Sequence, residues 1–485
     1  METARVETSV FGDLMRDRVD LVPGTKGSGK SALYRIFVDF LARALLDSRK
    51  VIIAHGVQSQ GDSVFLAFKD HFDKLDEDEF VMFWCIYLVS LGNEQFVKQP
   101  RFSELLKPCV SEIEAFKRAC AQCRIPEIKS QRSLRDVLGW VLAVLKAWRP
   151  KLKYRLPKDA GEFECDLFGA VSDGTWQTQT QGDNQLLPRY FSDVKYTLEA
   201  ILAKANLSLW LMIDRLDEIF PRRSNVETLA LRGLLRTMRV FESPRMRVKV
   251  FLRDDILDEI VASGDGFTTL THVTARQSDT LQWSVEQILT MIVKRLFAYA
   301  PLQTYLAVDM DKLDANREYQ AEAFYKVFPP KVHTGKNQSP TLQWIYNHTA
   351  DGQGVVTPRD VIDLLTRAKQ CQQDEFSSDP LGKSEWVIGS AAIHYGLTEL
   401  SKKKRSTLLQ AEFPHLWPHI RKFLGGKTEY GESSIKEMFG KNWAEVTEDL
   451  ISIGFLTKST RPGKSTYRIP FVYRDGLELT QGRKD

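Results

Sequence analysis

Residues Gly24-Thr25-Lys26-Gly27-Ser28-Gly29-Lys30-Ser31 carry glycines, a lysine and a closing hydroxyl at a spacing that suits one task, cradling a phosphate chain. Glycines let successive backbone N–H groups close around phosphate oxygens without Cβ atoms in the way, and the helix that follows aims its N-terminus at the same charge. Lys30 can reach the β and γ oxygens, and the Ser31 hydroxyl can ligate Mg²⁺. The candidate phosphate-binding set is therefore Gly24, Lys26, Gly27, Ser28, Gly29, Lys30, Ser31 and Ala32. The plain alternative is a glycine-rich surface turn with a stray lysine.

A second acidic motif follows an apolar run. Leu207 to Ile213 contains only Ser208 as a polar residue and ends in Asp214-Arg215-Leu216-Asp217-Glu218. Asp214, at the tip of a buried strand, is placed to hold the shell of a Mg²⁺ ion, while Asp217 and Glu218 are candidates to orient an attacking water. Acids decorating a helix N-terminus, favoured by the helix dipole, are the simpler explanation.

Elements that could position these residues are legible from periodicity. A short step at Leu21-Val22 enters the glycine-rich turn, and a helix is predicted from Ser31 to Leu46 with Leu33, Ile36, Phe37, Phe40, Leu41 and Leu45 at helical spacing. Buried strands are predicted at 51–54, 207–213 and 248–252, with a shorter one near His272–Ala275. Helices are predicted at 190–205, 225–241, 284–300 and 359–372. Strands apolar on both faces and alternating with helices imply a parallel sheet covered on both sides, an α/β fold. Residues 64–148 read as mostly helical, and 150–188 as irregular.

The tail changes rhythm. Helices at 415–424, 433–439 and 442–453 precede two strands, the second from Ser465 to Val472, joined by a basic tip containing Lys458, Arg461 and Lys464. Three short helices and a two-stranded ribbon describe a winged helix. The expected organisation is 1–60 as the start of the core, 61–188 as a mostly helical insertion and 189–300 as the remainder of the core. A helical lid at 301–385 and a winged-helix-like module at 386–485 complete it.

The hhhhDxLDE form at 210–218 resembles the STAND and NACHT ATPases and related bacterial P-loop ATPases found beside phage-defence genes, in the same broad class as the AAA+ origin-recognition ATPases. Val248 to Asp255 resembles their sensor-1 strand ending in an arginine, here Arg253. Leu281-Gln282-Trp283-Ser284, with Glu286 and Lys294-Arg295-Leu296, is similar to the turn and helix that close the ATPase core. Thr357-Pro358-Arg359-Asp360 resembles the sensor-2 position of the lid. The resemblance spans about 19–55, 190–300 and 340–372. It implies a P-loop NTPase core that binds ATP with Mg²⁺, with Lys30, Ser31, Asp214, Glu218, Arg253 and Arg359 in the site. An ion pair with Asp254 or Asp255 is the alternative reading of Arg253. Many AAA+ proteins place the catalytic glutamate directly after the Mg²⁺ aspartate; Arg215 stands there, so hydrolysis falls to Asp217 or Glu218 and is expected to be slow. The resemblance further implies an ATP-driven switch acting as an oligomer or with a separate effector protein, in an antiphage defence complex. The rival is a DNA-binding initiator or loader ATPase of the origin-recognition type; a third reading is a nucleotide-bound scaffold that does not hydrolyse.

Composition sets the outer bounds. Of 485 residues, 43% are apolar and 27% charged, ordinary globular values that exclude a fibrous or disordered chain. Net charge is +4 overall, yet residues 401–485 hold 16 Lys and Arg against 10 Asp and Glu. Nucleic acid could meet that surface through the wing, but Glu445, Glu448 and Asp449 on the helix that would enter a groove oppose it. The run Lys402-Lys403-Lys404-Arg405 reads as a solvated helix end. Cys120 and Cys123 form a lone C-x-x-C without the second half of a zinc set, and the scattered histidines form no ligand pair. The apolar run from Phe80 to Val89 is shorter than the roughly 20 residues a bilayer needs, and Met1 to Val10 has no signal-peptide character. These features point to a cytoplasmic protein with no membrane partner.

Overall fold

The computed structural model describes residues 6–56, 75–123, 186–216, 224–262, 274–335, 337–378, 385–461 and 464–485. The chain divides into two compact units. One comprises Ser9–Gly24 and Lys30–Leu281; the other comprises Met1–Thr8, Thr25–Gly29 and Gln282–Asp485. The expected irregular segment through residue 185, the predicted helical stripe at 134–147, and the motif residues Asp217 and Glu218 lie outside the described residues.

The first unit is α/β. Its strands β1 (Leu21–Gly24), β2 (Val51–Gly56), β3 (Ser208–Ile213) and β4 (Met246–Arg253) form a parallel sheet in the order β1-β4-β3-β2. Strand alternation sends neighbouring side chains to opposite faces. Leu209, Leu211, Ile213, Val248, Val250, Leu252, Ile52 and Ala54 enter one core, whereas Trp210, Met212, Phe251, Val51 and Ile53 enter another on the opposite face. Helices cover both faces, which is why these strands are apolar throughout.

The smaller core is closed by helices Ser9–Met15 and Lys30–Arg35, the latter continuing through a π-helical segment, Ile36–Leu41, into Ala42–Arg49. Leu33, Phe37 and Leu45 are buried as periodicity predicts, but Phe40 is exposed; the extra residue per turn of the π segment rotates the apolar stripe. Lys50 ends the helix in a left-handed conformation with φ of 59°.

The larger core is built around Glu77–Gly92. Asp76 and Glu79 close its N-terminus as a reciprocal capping box. Phe80 to Gly92 is buried on every side, and Trp84 donates to the Ala230 carbonyl at 2.7 Å. Gly233 on the facing helix Asn225–Val240 permits this approach, since a Cβ there would lie 2.7 Å from Phe80 Cβ. Among the described residues one helical stretch, Glu77–Val97, is long and apolar enough to cross a membrane, but 89% of that window is already packed inside the protein.

One predicted strand is displaced. Thr274 to Arg276 form a turn, His272 and Val273 lie outside the described residues, and the pairing beside β1 comes later. Asp20 and Leu21 N–H donate to the Arg276 carbonyl, Ser278 N–H to Leu21, and Leu281 N–H to Pro23. The polar run after Ala275 hid this edge, whose pairing is carried by backbone groups.

The second unit has one continuous core running from Ile288 to Leu477, through both the segment expected as a lid and the final hundred residues. Its main helices are Val285–Phe297, Arg317–Val327, Thr341–Thr349, Pro358–Ser378 and Ser390–Lys404. Gly396 sets the crossing of the last two, because a Cβ there would meet the Leu364 carbonyl at 2.4 Å. A four-stranded sheet follows in the order β6-β7-β5-β8: β5 (Lys427–Gly431), β6 (Thr457–Arg461), β7 (Lys464–Arg468) and β8 (Thr480–Lys484). Helices Glu432–Phe439 and Trp443–Ser452 lie between β5 and β6. The predicted helix at 415–424 is only Trp417–Ile420 with a 3₁₀ turn after it. The predicted strand to Val472 stops at Arg468, because Pro470 opens a helical turn at Phe471–Arg474.

Candidate phosphate-binding site

In the first unit the parallel arrangement brings the C-terminal ends of β1, β4 and β3 to one edge of the sheet, where Gly24, Arg253 and Asp214 stand. Lys30 and Ser31 open the helix that follows the glycine-rich turn. The Ser31 hydroxyl lies near enough to the Asp214 carboxylate to favour its ionised form, so the serine and the acidic strand tip meet although 183 positions separate them. Lys30 is buried, and its Nζ donates to the Gly24 carbonyl.

Asp214 is 3% exposed. Burial pushes its carboxyl above the usual carboxylate range; the Ser31 hydroxyl, a backbone N–H bond and the nearby Lys30 and Arg215 charges pull the other way. Asp254, just after β4, is also raised, chiefly by burial, with Lys30 opposing. Tyr34, one turn into the helix, donates to the Gly56 carbonyl at 3.1 Å, and burial followed by the Asp214 charge pushes its hydroxyl well up. Arg215 takes φ of 59°, a left-handed conformation unusual for a non-glycine residue.

Arg253 is engaged. Its Nε and one terminal nitrogen form a fork with Asp255 at 2.8 and 2.7 Å, the ion-pair alternative that the sequence left open.

In the second unit, the five residues Thr25–Gly29 pack with Gln282–Asp485. Gly27 and Gly29 have φ of 89° and 102°, the left-handed region that glycine enters without penalty. A Cβ on Gly27 would lie 3.1 Å from Arg359 Cβ and 3.2 Å from the Thr357 hydroxyl, so the loop runs directly against the first turn of helix Pro358–Ser378. Arg359 is exposed beside it. Trp283 Nε1 donates to the Ser28 carbonyl at 2.6 Å, and Lys26 pairs with Glu412. The Ser28 hydroxyl is buried without a hydrogen-bond partner.

Three contacts were not legible beforehand: Trp283 on Ser28, Thr357 on Gly27, and Glu412 on Lys26. Each joins residues more than 250 positions apart. Trp283 stood next to a readable helix start, as Ser284 and Gln287 form a capping box, but a lone tryptophan there signals nothing by itself. Among the described residues, no group of three or more His, Cys, Asp or Glu could hold a metal ion. Cys120 and Cys123 are buried thiols, each pushed up to about 12 by burial, which disfavours the thiolate.

The basic run is not a free patch. Lys402 pairs with Glu399, Lys403 with Asp363, Lys404 with Asp360 and Arg405 with Glu478. On helix Trp443–Ser452, Glu445, Glu448 and Asp449 are all exposed.

Compared with protein-family models, curated proteins and solved structures, the chain finds no significant match in any of the three.

Proposed function

We propose that this protein is a Mg²⁺-dependent P-loop ATPase, a nucleotide-driven switch with a winged-helix-like module in its C-terminal unit. The observation that carries the reading is the convergence of the Ser31 hydroxyl on the buried Asp214 carboxylate. The hydroxyl that follows the phosphate-loop lysine and a buried carboxylate at a distant strand end are both oxygen donors, the chemistry that a hard divalent cation selects. Ser31 and Asp214 would hold Mg²⁺, which supplies charge neutralisation for the phosphate chain. The unpartnered, buried Ser28 hydroxyl fits the same group, since a loop built to meet phosphate oxygens has a use for such a donor.

The roles follow from side-chain chemistry. Lys30 would leave the Gly24 carbonyl for the β and γ oxygens, and the N–H groups of Gly27, Gly29, Lys30, Ser31 and Ala32 would line the phosphates. Asp217 or Glu218 would orient the attacking water. Arg253 would have to exchange Asp255 for phosphate to act as a sensor, which favours slow turnover. Arg359, beside Gly27 at a helix start where a cation is mildly disfavoured, would gain a compensating anion from bound ATP. Internal pairing of residues 402–405 and the acidic face of Trp443–Ser452 favour a protein partner or self-association over a duplex. By the family resemblance, effector chemistry is assigned to a separate protein, with antiphage defence as the setting and the cytoplasm as the location.

Steady-state ATP turnover by the full chain, with and without duplex DNA and beside Lys30→Ala, tests this. Turnover that Lys30→Ala abolishes and DNA leaves unchanged is expected. Many-fold stimulation by DNA would replace the switch with the DNA-dependent initiator. Absence of any Lys30-dependent nucleotide binding would sink the ATPase reading altogether.

A further inference from the structure

Trp283 lies outside the set of phosphate and metal ligands, yet its environment is built. Its indole N–H donates to the Ser28 carbonyl at 2.6 Å, and its own carbonyl accepts from the Tyr346 hydroxyl at 2.9 Å. The next residue, Ser284, caps helix Val285–Phe297 by accepting from Gln287 N–H, while the Gln287 side chain bonds back to Ser284 N–H. Cap and tyrosine together fix where the backbone of residue 283 sits. The ring runs along the phosphate loop as well: a Cβ on Gly29 would touch Trp283 Cζ2 at 3.5 Å and Nε1 at 3.9 Å. Any side chain at position 29 would also be strained by the φ of 102°.

The consequence follows from peptide geometry. In a planar trans peptide the carbonyl and the N–H point in opposite directions. Holding the Ser28 oxygen on the indole therefore turns the Gly29 N–H away from it, and that N–H is one of the donors a phosphate loop presents to an anion. Without this partner, the peptide leading into Gly29 could rotate and offer its carbonyl, an acceptor, where a phosphate oxygen must bind. A single donor on the far side of the loop thus determines the sign of the dipole on the near side.

We propose that Trp283 is a positioning residue for nucleotide phosphates, acting through the Ser28–Gly29 peptide. This rests on the nucleotide-binding reading above. The residue touches no ligand itself; it orders the loop in advance, so that binding does not have to supply that ordering.

The test is calorimetric titration of Mg-ADP and Mg-ATP into the full chain, comparing wild type, Lys30→Ala and Trp283→Phe, with nucleotide-free thermal midpoints alongside. Phenylalanine keeps an aromatic ring against Gly29 and removes the donor. Loss of one neutral hydrogen bond corresponds to about five- to tenfold weaker binding. The same factor is expected for ADP and ATP, because a fixed loop amide serves the phosphates that both share. The nucleotide-free midpoint should fall by only about 2–5 °C, the cost of the same bond. Replacing Trp283 by 3-benzothienylalanine, which keeps the bicyclic shape but has no N–H, gives the same comparison if the phenylalanine variant is destabilised. Wild-type binding retained by both replacements overturns the proposal and leaves the nucleotide reading standing. Failure of wild type itself to bind overturns that reading instead.

Discussion

Lys249 is wholly buried on β4, and its removal should be among the most damaging single changes in the first unit. Its Nζ donates to Asp17 at 2.6 Å, to the Val19 carbonyl at 2.8 Å and to Asp20 at 2.9 Å, and lies 4.5 Å from the centre of the Trp210 ring. Lys249→Met keeps the length of the side chain and deletes the charge. Two carboxylates are then left facing an apolar wall. Breaking one side of a buried pair costs about 3–5 kcal/mol. Two features lower that figure: Arg276 still holds Asp20 at 2.6 Å, and the Asp17 side chain is 31% exposed. A loss of about 2–3 kcal/mol remains. At roughly 2–4 °C per kcal/mol for a unit of this size, the apparent midpoint should fall by about 4–12 °C. Scanning calorimetry of the full chain measures it. A Lys249→Met midpoint within about 1 °C of wild type would refute the reasoning. The network matters to the candidate site because Asp20 leads directly into β1, the strand that ends at Gly24 where the glycine-rich turn begins.

Asp214→Asn should separate stability from function. Burial raises the carboxyl of Asp214, so its ionised form destabilises the folded state above the unfolded pKa of about 3.9, and fully once pH exceeds the raised folded value. The variant is therefore expected to melt higher than wild type at pH 8, to lose that advantage below about pH 4, and to lose Mg²⁺-dependent nucleotide binding; a lower midpoint at pH 8 would contradict the assignment. Gly27→Ala places a methyl group 3.1 Å from Arg359 at a φ of 89°, so nucleotide affinity should drop at least tenfold, as read by titration. His348, stacked on Trp344 with ring centres 3.9 Å apart, is lowered by burial to about 4. The unfolded chain then binds the extra proton first, so stability should decline as pH falls from about 6.5 toward 4, and His348→Gln should flatten that part of a midpoint-versus-pH curve.

The sheet could be read in advance because strands buried on both faces advertise themselves: Leu207 to Ile213 and Val248 to Leu252 have almost no polar interruptions. The glycine-rich turn before the helix at Lys30 was equally legible, since its residue types recur at a fixed local spacing. Asp214 was found because an acid at the end of such a strand stands out. Strands β5 and β8 were missed: Lys427–Gly431 and Thr480–Lys484 are short, carry Lys, Gln and Gly, and are specified by their partners more than by their own pattern. The same holds for the backbone pairing of Gln277 and Ser278. Contacts such as Trp283 with Ser28 depend on chain segments that only the fold brings together. Sequence spacing could not disclose them.

The ion pairs of residues 402–405 change what dissolved salt acts upon. Counting charges along the tail suggests a surface whose grip on polyanions weakens as ionic strength rises. With Lys402, Lys403, Lys404 and Arg405 turned toward carboxylates of their own chain, added salt would instead loosen internal seams, and unevenly. The exposed pairs of Lys402 and Lys403 would be screened first, whereas Lys404 and Asp360, 15% and 9% exposed, are shielded from counterions. Asp360 is the neighbour of Arg359. High salt would therefore fray the outer turns of Ser390–Lys404 while leaving the first turn of Pro358–Ser378, which lies against Gly27, anchored from behind.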